Sequence, residues 1–443
     1  ALAACLAAGA EAQTAPAEPA GSADGKASRE IELKPVNVTG DRERDPTYQP
    51  GITNIGKTPQ LPRDIPQSVT LVPASLIHDR AADTMREALR NVPSLTFNAG
   101  EGGRIGDNIT LRGFSVVGDL YMDGIRDVAQ YNRETFNVEQ FEVLRGSSSM
   151  LYGRGSTGGL INQVSKLPTL VARTVAATTL GDFNYRRFTV DTNQVVGESM
   201  AVRLNLMKTD SDSYRDGVKV NRSGAAPSIR FGIGTRNDFL LSHYHLEYDD
   251  VPDYGVPYFH GRPLDVPVNV FYGLPQVNSQ RDRADISTAS WTHRFDADSE
   301  LKSVFRLGGY KRDLWAVAPR LAGNPAAITD ATPVSRQRQA RGGVEDTVTS
   351  QTDYNGKINW GGMKHQLLLG MELVREDADR WSYAQPAGVT NPATTVGNPD
   401  LYPLLASNYF TQVSRTDHQF PLRRQFQRAA PQGPLARTDR VWS

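Results

Sequence analysis

From residue 169 onward the chain repeats a pattern that few folds can satisfy: stretches of alternating polarity, period two, joined by connections of unequal length. Val171 to Leu180 and Tyr185 to Val196 flank Gly181-Asp-Phe-Asn184, and Met200 to Asp210 follows the turn Val196-Gly-Glu-Ser199. Ala225 to Ile233 runs to the turn Gly234-Thr-Arg-Asn-Asp238, and Phe239 to Asp249 leads into the long loop Asp250 to Arg283. Asp285 to Phe295 and Leu301 to Arg312 flank Asp296-Ala-Asp-Ser-Glu300, and the loop Asp313 to Gly343 follows. Val344 to Trp360 and His365 to Arg375 flank Gly361-Gly-Met-Lys364. Residues 376 to 407 form a further long loop, and Ser407 to Val413 starts a tenth strand. Short turns alternating with long loops predict an antiparallel transmembrane β-barrel, whose turns are short on one side of the membrane and long on the other. A soluble sandwich has no need of that asymmetry. Phe183, Tyr185, Trp291, Trp315 and Trp360 lie near strand ends, where interface girdles sit.

Composition agrees. The formal net charge is +0 and 22% of residues are charged, which argues against a nucleic-acid footprint. No run approaches the ~18 apolar residues of a membrane helix, which leaves a barrel open. Residues 1–12 read as the remnant of an export signal, with Ala10-Glu-Ala12 as the cleavage site before Gln13, although Leu2-Ala-Ala-Cys5 also resembles a lipoprotein acylation site. Cys5 is the only cysteine, so cleavage after Ala12 leaves neither disulfides nor thiolate metal sites. Residues 13–30 are a disordered Ala/Pro/Gly/Ser-rich linker. His243 and His245 alternate on one strand but lack a third metal ligand and read as wall residues. No nucleophile–base or paired-acid arrangement stands out, so the chain is not read as an enzyme.

The stretch Phe141 to Lys166 contains Gly153-Arg-Gly155-Ser-Thr-Gly158, a literal G-x-G-x-x-G. A dinucleotide loop needs a helix opening at the last glycine. Here only Leu160 to Lys166 remain before Pro168, too few for a crossover helix. Taken with its flanks, the stretch carries a different resemblance. Glu142-Val-Leu-Arg-Gly146, Leu151-Tyr-Gly153, Gly158-Gly-Leu-Ile-Asn162 and Val164-Ser-Lys166 resemble the end of the plug domain of TonB-dependent outer-membrane receptors. Upstream, Asp64-Ile-Pro-Gln-Ser-Val69, Leu89-Arg-Asn-Val-Pro93, Ile109-Thr-Leu-Arg-Gly-Phe114 and Asp123-Gly124 continue the likeness. Ser147 stands where the family usually has Pro. The resemblance covers about residues 32–375 and is greatest to ferric-siderophore receptors of the catecholate type.

It implies an N-terminal mixed α/β plug domain, residues 45–168, followed by a transmembrane barrel, residues 169–413. Within the plug, Ser68 to Val72 reads as a strand and Thr84 to Asn91 as a helix with Asp83 as N-cap. Glu32-Leu-Lys-Pro-Val-Asn-Val-Thr39 resembles the TonB box, with Leu33, Pro35, Val36, Val38 and Thr39 as the coupling residues. Pro35 opposes helix and the β-branched residues favour an extended chain able to add to a partner's sheet. The interval after Gln13 leaves no room for the extra signalling domain of some relatives. Two plug loops, Gly100 to Arg104 and Arg126 to Arg133, are expected to touch a ferric siderophore through Arg104, Arg126, Tyr131 and Arg133. Arginine gives charge and planar stacking, and tyrosine a flat face with a polar tip. Tyr254, Tyr258, Phe259 and Tyr272 form an aromatic vestibule for the same ligand, and Arg112, Glu142 and Arg145 are assigned to locking plug to barrel.

The implied activity is active uptake of a ferric siderophore across the outer membrane of a Gram-negative bacterium. The partners are the TonB complex, the siderophore and outer-membrane lipid. The receptor works as a monomer, has no covalently bound cofactor, and meets iron only within its ligand. Uptake of a corrinoid or oligosaccharide is the alternative within the family, and a passive pore or adhesin the alternative outside it. The family closes about 22 strands, whereas nine or ten are legible here, and a closed ring of ten has no room for a plug. Residues 414–443 lose the alternation, are rich in arginine and are interrupted by Pro421, Pro431 and Pro434, as an out-of-frame or truncated end would be. The chain is therefore expected to be an incomplete receptor.

Overall fold

The computed structural model describes residues 48, 51–98, 106–152, 157–385, 387–407, 409, 415–419 and 425–428. The coupling segment 32–39 and Arg104 lie outside them. After a 3₁₀ turn, Pro62–Asp64, come β1 (Val69–Pro73), α1 (Ala74–Asp79), α2 (Met85–Leu89), β2 (Leu95–Phe97), β3 (Ile109–Leu111), β4 (Phe114–Ser115), β5 (Leu120–Met122), β6 (Ile125–Arg126), β7 (Val138–Arg145), α3 (Ser149–Tyr152) and β8 (Gly159–Ser165). They make a five-stranded sheet of order β1-β7-β8-β5-β6, with β5 parallel to β8, and a small sheet of β2, β3 and β4. The expected plug is thus a mixed α/β domain. Its core joins Met85, Ala88 and Leu89 of α2 to Ile109, Leu111, Phe141, Val143 and Ile161.

One local expectation needs correction. The N-cap of α2 is Thr84 rather than Asp83: the Thr84 hydroxyl accepts from Glu87 N while the Glu87 carboxylate accepts from Thr84 N at 3.0 Å. That reciprocal box satisfies two orphan donors, which Asp83 could not do from one residue earlier. As the short interval before Pro168 implied, Gly158, the last glycine of G-x-G-x-x-G, leads into strand β8 and not a helix. Gly159 sits at φ 134°, and a side chain there would run into the Leu144 carbonyl, so the glycine serves close strand packing.

The remaining strands are β9 (Arg173–Leu180), β10 (Arg186–Gly197), β11 (Met200–Asp212), β12 (Lys219–Phe231), β13 (Asn237–Asp250), the small hairpin β14 (Tyr258–Phe259) and β15 (Arg262–Pro263), β16 (Ser279–Arg294), β17 (Ser299–Leu321), β18 (Pro333–Trp360), β19 (Met363–Tyr383), β20 (Thr394–Thr395), β21 (Arg415–Gln419) and β22 (Gln425–Arg428). From β9 to β19 each wall strand pairs antiparallel with its neighbour in sequence, β14 and β15 standing apart, and β21 follows β19. All nine expected strands are present among the described residues. Of the expected tenth, Ser407 to Val413, only Ser407 and Tyr409 fall among the described residues. The tenth strand in the wall's order is Arg415–Gln419, beside β19.

The observed strands run beyond the expected ones toward the long loops. β18 begins at Pro333 rather than Val344, and β17 ends at Leu321 rather than Arg312. Apolar alternation stops where the lipid band stops, whereas the backbone ladder continues through polar residues. About ten residues span a membrane, and β18 has 28. The strands also lean. One ladder row joins Met200, Phe231, Phe239, Trp291, Ser303, Thr352 and Met371 across six strand-to-strand steps. Met200 opens β11, whereas Met371 is the ninth residue of β19. At ~3.3 Å per residue and ~4.8 Å per step, that stagger is a lean of about 40°, the range of closed barrels.

Alternation separates two faces. On one, Leu241, Phe305, Leu307, Leu373 and Met371 are apolar and exposed, as lipid-facing residues are. On the other, Ala201, Asn205, Met207 and Thr209 are buried toward the plug. Near the short turns, rings follow one another along the outer face: Phe231–Phe239 at 4.9 Å, Phe239–Trp291 at 6.3 Å, Trp291–His293 at 5.8 Å, His293–Phe295 at 4.7 Å and Phe295–Tyr354 at 6.2 Å. Trp291 thus belongs to a girdle. Tyr185 does not, because its hydroxyl donates to the Asp83 carboxylate of the plug.

Candidate functional site between plug and wall

The segment 127–137 follows the edge strand β6 of the plug sheet and lies against the wall. Met122, Ala129, Tyr131 and Phe136 join Met207, Ala226, Tyr244, Leu246, Tyr248, Ala284 and Ile286 in one buried cluster. Phe136 stacks on Tyr244 at 5.6 Å, over Gly224, where any side chain would meet the Phe136 ring at 2.7 Å. Apolar contact fixes the depth of the segment, and charge fixes its position along the wall.

The charged lock centres on Glu134, which is 0% exposed. Its carboxylate accepts from Arg187 Nη1 on β10 at 3.1 Å and from Arg222 Nη1 on β12 at 2.9 Å. Arg187 also pairs with Asp83 at 3.1 Å, and Arg222 with Asp250 at 2.9 Å. Two plug carboxylates and one wall carboxylate thus surround two wall guanidiniums, and every buried charge has a partner of opposite sign. Burial pushes the Glu134 carboxyl above its ordinary range, against the pull of both guanidiniums. Further ties are Tyr310 Oη to Asp127 at 2.9 Å, Asn205 Nδ2 to Asn137 at 3.1 Å, Arg306 Nη1 to the Met122 carbonyl at 2.8 Å, and Lys57 with Asp353 at 3.2 Å.

The expected ligand residues divide. Arg133 is 1% exposed and buried between acids: Nε and Nη2 bond Asp127 at 2.9 and 2.8 Å, and Nη1 bonds Asp107 at 3.3 Å. Burial works to lower its pKa, but Asp127, Tyr131 and Asp107 outweigh it and hold the guanidinium above its ordinary value. Tyr131 is 3% exposed, donates to Asp127 at 2.7 Å and lies under the guanidinium. Both serve the plug's own packing rather than a ligand surface, because donors already bonded inside cannot be offered outside. Tyr272 is likewise enclosed, its hydroxyl donating to the Val396 carbonyl at 2.7 Å. Arg126 ties plug to wall, through Glu376 at 3.4 Å, and keeps part of its surface open. Tyr258 is 66% exposed, Phe259 stacks on His260 at 3.9 Å, and Tyr254 is half-buried in the same long loop.

The expected locking residues do not reach the described wall. Glu142 accepts from Thr53 at 2.6 Å, Gln140 at 2.7 Å and Asn162 at 2.8 Å, all within the plug. Arg145 bonds Ser68 and the Pro93 carbonyl, and Arg112, at φ 53°, is exposed beside Gly146. The lock falls on Glu134, Arg187 and Arg222 instead. Sequence offered one signal for them: arginines inside otherwise alternating strands, on positions facing inward.

A small α/β domain held by buried charges against a wall of leaning, sequentially paired strands defines the plug-and-barrel class of TonB-dependent receptors. Residues 62–160 match the family described as TonB-dependent Receptor Plug Domain. It is 32% identical over 363 residues to the catecholate siderophore receptor Fiu of Escherichia coli, covering 76% of this chain and 47% of that one. It is 33% identical over 391 residues to BfrD of Bordetella pertussis, covering 85% and 51%. The crystal structure of Fiu in its closed form matches with a TM-score of 0.73 at 30% identity, over 82% of this chain and 54% of that one. That of the siderophore receptor PiuA from Acinetobacter baumannii matches with a TM-score of 0.71 at 29% identity, over 86% and 56%. The chain spans about half the length of the curated relatives it matches.

Proposed function

We propose that this chain acts in TonB-dependent uptake of a ferric siderophore of the catecholate class across a Gram-negative outer membrane. The observation that carries the reading is the likeness to a catecholate receptor, which runs through both plug and wall. The plug argues against a passive pore, which needs no obstruction held by buried ion pairs. Ligand contact is assigned to Arg104, Arg126, Tyr254, Tyr258 and Phe259, with iron arriving as cargo inside the chelate. A ferric tris-catecholate is a bulky trianion with aromatic rims, matched by arginine and tyrosine. Energy arrives through residues 32–39, whose extended β-prone sequence suits strand addition to a TonB-like partner. No chemistry is done on the ligand; binding and movement of the plug are the function, and the receptor acts as a monomer in outer-membrane lipid. Growth of an iron-starved, receptor-deficient strain complemented with the gene, on a panel of iron chelates, tests this. Rescue by catecholate chelates supports it, and rescue only by a corrinoid or an oligosaccharide overturns it.

A further inference from the structure

Two arginines on one face of β18 behave in opposite ways. Arg336 is saturated: it donates to the carbonyls of Tyr272 at 2.8 Å, Pro392 at 3.3 Å and Asp400 at 2.5 Å, and so staples two long loops to the strand. Arg338 is not. Its Nη2 donates to the Tyr409 carbonyl at 3.4 Å, but Nε and Nη1 are buried with no hydrogen-bond partner among the described residues. Its guanidinium is held flat, over the Trp315 ring at 4.6 Å and the Tyr409 ring at 5.3 Å. Trp315 stacks in turn on Tyr383 at 4.8 Å. The small Ala340, opposite Trp315 in the ladder, leaves room for that stack. The charge lines an open depression of about 400 Å³, which Tyr383, Val389, Thr390 and Asn391 also line. A buried guanidinium with unmatched donors is costly unless an acceptor completes it.

Register places this depression away from the plug. Arg338 pairs with Val317 and Ala340 with Trp315, so they share the face of Leu307 and Phe305, which are exposed toward lipid lower down. The alternate residues Arg306 and Tyr310 touch the plug. Height excludes a lipid headgroup. Arg338 lies 22 residues along β18 from Trp360 at the short-turn end. At ~3.3 Å per residue and a lean of about 40°, it stands some 55 Å from that rim, roughly twice the ~25 Å apolar band. The ligand therefore comes from the aqueous layer outside the membrane.

We propose that this outer-flank depression binds an acidic sugar, a pyranose bearing a carboxylate. The carboxylate completes Arg338, the C–H face of the ring lies on Tyr383, and a hydroxyl meets Thr390. About 400 Å³ is within the range of small-molecule pockets. The site is separate from siderophore recognition and leaves plug contacts untouched.

The test is titration of the purified chain in detergent, read by calorimetry and by tryptophan fluorescence. The probes are D-galacturonate, D-galactose and inorganic phosphate. Galacturonate is expected to bind saturably, galactose at least tenfold more weakly, and phosphate without the fluorescence change. Arg338→Gln should weaken galacturonate by about ten- to a hundredfold, the worth of one charge-assisted hydrogen bond. Trp315→Phe should remove the fluorescence change while calorimetry still records binding. Equal affinity for galactose and galacturonate, equal binding of phosphate, or no saturable binding of galacturonate overturns the proposal. The comparison among sugars uses the unaltered chain, so the result stands even if a variant misfolds.

Discussion

Replacing Glu134 by alanine should loosen the plug from the wall without unfolding the plug. Removing one partner of a buried ion pair costs ~3–5 kcal/mol, mostly because the other charge is left unmatched. Here both guanidiniums keep a second carboxylate, Asp83 for Arg187 and Asp250 for Arg222. The expected cost is therefore near the lower end, about 3 kcal/mol. Glu134→Gln keeps an acceptor and should lose about half of that. Hydrogen exchange resolves where the loss falls. Thr135 N bonds the Asp83 carbonyl at 3.0 Å and Met85 N bonds the Arg133 carbonyl at 2.9 Å, so both report the lock. In Glu134→Ala these amides should exchange about a hundredfold faster, since ~1.4 kcal/mol is a factor of ten. Amides of β7 and β8 around Phe141 and Ile161 belong to the plug core and should keep their protection. Unchanged exchange at Thr135 and Met85 would refute the lock. An equal acceleration in β7 and β8 would show general destabilisation instead.

Four further outcomes are expected. Arg133→Ala should fail to give folded plug, judged by trypsin resistance, because it strips buried Asp127 and Asp107 of their partner at a cost of ~3–5 kcal/mol; a folded variant with a selective loss of siderophore affinity would restore Arg133 as a ligand contact. Arg126→Ala should cost at most about 1 kcal/mol in thermal stability, since the Glu376 pair is partly exposed, but should weaken ferric-catecholate binding in a titration. Thr84→Ala should lower plug stability by about 1 kcal/mol in denaturant unfolding through loss of the capping box. Val38→Pro should abolish iron uptake while leaving siderophore binding intact, by deleting an N–H from strand addition; uptake at the parental rate would reject the coupling role of residues 32–39.

What could be read from sequence was what has a local or periodic cause. The Glu142 to Lys166 run placed the end of the plug, and alternation placed nine strands. Strand limits were missed where alternation of polarity ended before the ladder did, as at Pro333 and Leu321. Arg133 and Tyr131 were read as ligand contacts because arginine and tyrosine in a loop suit a catecholate. Nothing local says that Asp107, 26 positions upstream, folds back to enclose the guanidinium. The lock was invisible for the same reason. Glu134 and Arg222 are 88 positions apart, and their pairing exists only once the segment lies against the wall.

The run of rings along the short turns has a mechanical meaning. Arg222, which grips Glu134, and Phe231, where the run begins, stand on the same strand, β12. In the proposed uptake, a pull on the plug from the short-turn side would pass through Arg222 to β12 and, along the ladder, to Phe231, Phe239 and Trp291. Rings of that kind prefer the boundary between water and lipid and resist displacement in either direction. In that proposal the girdle is a footing: it would keep the wall still while the plug is strained, so that the load would be spent on the ion pairs around Glu134 and not on drawing the strands through the bilayer.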